Sequence, residues 1–114
     1  MTPEAVEAHC LSLPAATLTI QWGGTHVFKV GGKIFAMSEG EVWGLAFKAS
    51  DMAFELLCEQ GLARPAPYLG RAKWVQLTAT DALSDDDLMA YLTQAHAIAA
   101  AKLTRRARAE LGLA

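Results

Sequence analysis

Between Thr17 and Ala49 the chain alternates apolar and polar residues with a period of two, through TLTIQW, THVFKV, KIFAM and EVWGLAF, and this stretch most restricts the fold. Successive side chains of a strand point to opposite faces, and β-branched and aromatic residues suit a pleated, half-buried surface. The separators are Gly23-Gly24, Gly31-Gly32 and Ser38-Glu39-Gly40. Connections this short join neighbouring strands as antiparallel hairpins. A meander of three or four strands is predicted.

Helical patterns flank the meander. Thr2-Pro3-Glu4 combines a hydroxyl cap, a proline at the first helical position and an acid at the positive end of the dipole. Val6, Cys10 and Leu13 then share one face of a helix running from about Pro3 to Leu13, which Pro14 closes. Ser50-Asp51 opens a second helix, with Met52, Leu56 and Leu57 facing inward, Glu55 and Glu59 outward and Gly61 at its end. LARPAPYLG is proline-broken and extended, and RAKWVQL alternates as a strand, with Ala72, Trp74 and Gln76 on one face and Lys73, Val75 and Leu77 on the other. Ser84 followed by Asp85, Asp86 and Asp87 begins a long helix with an apolar stripe of Leu88, Tyr91, Leu92, Ala95, Ala99 and Leu103. Thr104 caps a last short helix, RRARAEL, ending at Gly112. The order of elements predicts a single α+β domain in two layers, an antiparallel sheet of about five strands with helices on one face.

At 114 residues, with 53% hydrophobic and 19% charged content, the chain buries one core without staples. Ten Lys and Arg against twelve Asp and Glu give a formal charge of -2, without the basic excess of a dedicated DNA binder. Phosphates respond to the local face they meet, so charge distribution matters more than the sum. Cys10 and Cys58 have no metal-ligand spacing and read as small buried hydrophobes. MTPEAVEAHC has neither a basic nor an apolar leader region, and no run of apolar residues is long enough to span a bilayer. A cytoplasmic protein with no membrane association is expected.

Catalytic signals are weak. His9, His26 and His96 fall in three different elements, with no Ser, Asp or Cys beside any of them in a nucleophile motif. His96 is spaced away from the Leu88 and Leu92 stripe, at a solvated or rim position. The three successive Asp residues point in different directions on a helix turn, so they read as a cap and not a metal site. VGGK and WGGT have paired glycines without P-loop spacing and read as hairpin turns. No enzyme activity, cofactor or metal is expected.

Binding signals are stronger. Arg64, Arg71 and Lys73 occur with no acid from Arg64 to Thr80, and Lys102, Arg105, Arg106 and Arg108 cluster near the C-terminus. If the last helix lies beside the Trp74 strand, the two segments form one positive face that Lys48 or Lys33 extends. The alternative is that the late cations complement the negative end of the long helix and aid solubility. Tyr68 and Trp74 are candidate stacking platforms, against a core role that favours Trp74 more than Tyr68. Trp22 and Trp43 read as sheet packing, and an exposed member of that pair would mark a partner surface.

Five segments together resemble the MmcQ/YjbR family of small bacterial proteins labelled DNA-binding: HCLSLPAAT, VFKVGGKIFAM, LAFKASD, PAPYLGRAKWVQL and AAAKLTRRAR. The resemblance implies a two-layer fold similar to that of type III secretion chaperones, and DNA binding by analogy with a double-wing module. In many members the stretch corresponding to Pro65–Val75 is richer in His, Asn and Lys, and Ser-Tyr stands where this chain has Ala95-His96. The expected role is weak, largely non-specific binding of duplex DNA through Arg64, Arg71, Lys73, Lys102, Arg105, Arg106 and Arg108. The competing role is a protein-interaction module that holds another chain on the sheet or helix surface without nucleic acid.

Overall fold

A computed structural model describes residues 1–39, 44–79 and 81–113. Helix α1 (Pro3–Ser12) precedes strands β1 (Ala16–Gln21), β2 (Thr25–Val30), β3 (Lys33–Ser38) and β4 (Ala46–Lys48). Helix α2 (Asp51–Glu59), β5 (Ala63–Pro65), β6 (Trp74–Leu77), α3 (Asp85–Ala101) and α4 (Arg105–Glu110) follow. Hydroxyl caps set the starts of all four α-helices among the described residues. The side-chain oxygens of Thr2, Ser50, Ser84 and Thr104 accept from the amides of Ala5, Ala53, Asp87 and Ala107 at 3.1, 3.1, 3.2 and 3.0 Å.

The strands form one antiparallel sheet in the order β1-β2-β3-β4-β6-β5, six strands where the sequence suggests about five. The additional strand is β5, an edge strand ending at Pro65, where a missing amide costs the ladder least. Register shifts between Phe28 and Lys29 against β3, and Phe35 and Ala36 are both buried in the core. A bulge of this kind puts two neighbours on one side. Ile34 and Met37 go to the opposite face, beside Ala46 and Trp74.

Helices α1, α2 and α3 cover one face, where Val6, Cys10, Phe28, Phe47, Leu57 and Leu92 belong to the main core. Phe47 stacks on Tyr91 with ring centroids 6.0 Å apart. Burial pushes the Cys10 thiol up to about 12, so it is protonated at neutral pH and acts as a small apolar group. Among the described residues, the other face of the sheet carries no α-helix. There Ala46, Ala66 and Trp74 form a small second cluster with Ile34, Met37 and Leu69, partly roofed by the segment between β5 and β6.

Several expectations are corrected. RAKWVQL is a strand only from Trp74, because Gly70–Ala72 form a 3-10 turn and Lys73 is left-handed at φ 62°. Met52 and Leu56 are exposed, and Ala53 with Leu57 forms the buried stripe of α2. His96 is buried, not at a rim: its Nε2 donates to the Pro14 carbonyl at 2.7 Å, and its ring meets Phe35 edge-on at 5.3 Å. This buried donor ties α3 to the turn after α1. Cys58 is half-buried. Trp22 is exposed instead of packing on the sheet. Of EVWGLAF, Glu41–Trp43 lie outside the described residues, so the expectation for Trp43 does too.

Candidate nucleic-acid interface

Sheet topology brings the end of β4 beside the start of β6, with Lys48 opposite Trp74. The Lys48 ammonium crosses to the next segment and donates to the Ala72 carbonyl. Its pKa lies below the ordinary 10.5, first because burial strips water from the charge, then because Lys102 repels it. Lys73 adds to that repulsion and Asp51 opposes it. Lys73 and Lys102, distant in sequence, thus both act on Lys48 in space.

Lys33 joins this group from the start of β3: Lys33, Lys48 and Lys102 line one small cleft with Ile34, Ala72 and Trp74. Lys73 is held by its stem and charge together, its Nζ 4.8 Å from the centre of the Phe54 ring. Arg71 is exposed in the adjoining 3-10 turn. Lys102 follows the last turn of α3, where a cation complements the negative end of the dipole. The positive end of α2 opens three residues after Lys48, at the same end of the sheet.

Helix α4 docks nearby through Leu103 and Leu111. Their methyl carbons would lie 2.7 and 3.0 Å from a Cβ added at Gly31, which also has φ 56°, so this turn needs glycine for space and for conformation. Arg105 and Arg108 line a separate concavity with Leu113. Arg106 is paired with Glu110 at 3.2 Å. Arg64 lies on β5 opposite Gln76 and donates to its Oε1 from Nε and Nη2 at 3.3 and 3.1 Å. The predicted cations therefore divide: Lys73 and Lys102 converge with Lys48 and Lys33, Arg71 adjoins them, and Arg64, Arg105, Arg106 and Arg108 have other immediate surroundings.

Acids gather at the far end of α3. Asp85, Asp86 and Asp87 occupy its first turn, and Asp85 pairs with the N-terminal ammonium at 3.1 Å. A helix of 17 residues separates them from Lys102 by about 25 Å. The first turn of α3 is thus locally acidic and the lysine cluster locally basic, with Asp51 also acting on Lys48.

Of the two aromatic candidates, Tyr68 is fully exposed and Trp74 is 8% exposed, so its ring is chiefly packed between sheet and loop. Trp22, which the sequence reading assigned to packing, is 69% exposed. All three line a concavity of about 840 Å³ on the helix-free face, with Lys33 and Met37. The signal for Trp22 was its place beside Gly23-Gly24, where a turn projects a side chain away from the sheet.

This two-layer α+β fold is shared with a solved structure. The crystal structure of Deinococcus radiodurans protein DR2400, with a DUF419 family-model domain, superposes with a TM-score of 0.87 at 24% identity, covering 99% of this chain and 89% of that one. The YjbR family model matches residues 11–98, and the chain belongs to the YjbR family. No curated protein matches the chain. No helix among the described residues is long and apolar enough to cross a membrane.

Proposed function

We propose that this YjbR-family chain is a nucleic-acid binder that holds DNA weakly and without reading its sequence, and that it works by binding and not by catalysis. The observation that supports this most is the convergence of Lys48, Lys73 and Lys102, with Lys33 in the same cleft. Ammonium groups brought together repel one another, and a polyanion laid across them relieves that repulsion while releasing its own counterions. Lysine is a hydrated point charge that meets a phosphate from many directions, so these contacts position a backbone and do not discriminate bases. The acidic turn at the far end of α3 orients the molecule toward the polymer.

Three or four phosphate contacts set the size of the effect. Fluorescence anisotropy of a labelled duplex is expected to show affinity falling roughly 40- to 150-fold between about 50 and 200 mM salt. No binding at low salt, or binding indifferent to salt, would sink the proposal.

A further inference from the structure

We infer that the aromatic groove on the helix-free face is a binding site for unpaired bases, so that the protein prefers single-stranded over duplex nucleic acid. The inference rests on the phosphate-binding role proposed for the lysines. The groove and the lysine cleft adjoin: Lys33, Ile34 and Trp74 line both. A cationic cleft therefore stands beside an apolar concavity, matching a ligand with an anionic backbone and flat, weakly polar faces. The groove lining contains no acid and one cation, Lys33.

Trp22 and Tyr68 support the assignment independently. Each is a non-glycine residue in the left-handed region, at φ 50° and 65°. That conformation is unfavourable for a residue with a Cβ. Both rings nevertheless stand in solvent, at 69% and 105% exposure, so burial within the fold does not account for them. Aromatic faces at the rim of a cationic site offer splayed bases a stacking surface that accepts any sequence. A duplex cannot use them without unstacking, because its base faces are already covered. A second copy of the chain is a poorer occupant, since a symmetric contact would bring two lysine clusters toward each other.

Anisotropy with a short oligothymidylate and with a duplex of equal length tests the inference. The variant Trp22→Gly with Tyr68→Gly removes both rings while suiting the left-handed backbone, and thermal melting checks that it folds. The wild-type chain is expected to bind the single strand more tightly. The double variant is expected to lose at least about tenfold on the single strand and to keep its duplex affinity within about twofold. If the folded double variant binds oligothymidylate as well as wild type while Lys48→Glu weakens both ligands, the groove assignment is wrong and the phosphate reading survives. If neither polymer binds at low salt, both are wrong. A sedimentation result showing a dimer that the ring deletions dissociate would also overturn the inference, assigning the groove to a second copy.

Discussion

Replacing Lys48, Lys73 and Lys102 together with Glu is expected to reduce duplex affinity at low salt by more than about 100-fold, because it removes three phosphate contacts and substitutes three repulsions. Proximity makes the effect large. One charge reversal on an ordinary surface is diluted by solvent and salt, whereas Lys73 and Lys102 are near enough to Lys48 to lower its pKa. A Lys→Gln version of the triple variant separates lost attraction from added repulsion and is expected to weaken binding less. Arg106→Glu supplies the comparison: its charge is already offset by Glu110, and the side chain is 90% exposed. A smaller loss than from Lys48→Glu alone is expected. Anisotropy on each variant, with circular dichroism to confirm folding, provides the check. Equal losses from Arg106→Glu and Lys48→Glu would show that total charge, and not the cluster, governs binding.

Phe47→Ala is expected to cost about 3 to 5 kcal/mol, read as a shift of the urea unfolding midpoint. Phe47 is fully buried in three-residue β4, between Ala36 of β3 and Val75 of β6, and stacks on Tyr91 of α3. Truncation leaves a void where sheet and helix meet, and so short a strand has few other contacts to hold it. A loss of that size is a large part of the stability of a domain this long, roughly 6 to 17 kcal/mol by the usual per-residue range. Met52→Ala, at a side chain 80% exposed, is expected to change stability by less than about 0.5 kcal/mol. Comparable losses at the two positions would contradict the assigned core.

Where local chemistry decides structure, the sequence was informative. Ser84 caps α3 because its hydroxyl reaches an amide three residues on, a relation visible in any sequence. The hairpin meander followed from period-two alternation and glycine turns for the same reason. The residues misjudged were those whose position depends on distant partners. His96 looked peripheral by helical spacing, but Phe35 and the Pro14 carbonyl, more than 60 positions away in each case, make it a buried donor. In Arg71–Trp74 the alternation was real, yet a left-handed Lys73 delays the strand and leaves Lys73 over Phe54. Met52 was assigned inward on apolarity alone, and sheet contact instead selected the Ala53 and Leu57 stripe.

The candidate site was half legible. Local clustering identified Lys73 and Lys102, but grouped Lys102 with Arg105, Arg106 and Arg108 by sequence proximity. Space groups it with Lys48 and Lys33, because β4 lies between β3 and β6 while α3 ends over the same part of the sheet. No periodicity states which strand ends become neighbours. Trp22 read as sheet packing because aromatic residues near strands usually pack, and its left-handed backbone is not a sequence property.

The central claim is that nucleic acid meets the lysine end of the molecule. Backbone amide shifts of the isotope-labelled chain, followed while a short duplex is added at low salt, test it most directly. The largest changes are expected at Gly32, Lys33, Lys48, Ala49, Ala72, Lys73 and Lys102, with the first turn of α3 at Asp85–Asp87 undisturbed. Shifts concentrated on α1, on β1 or on that acidic turn, or no shifts at all, would contradict the claim.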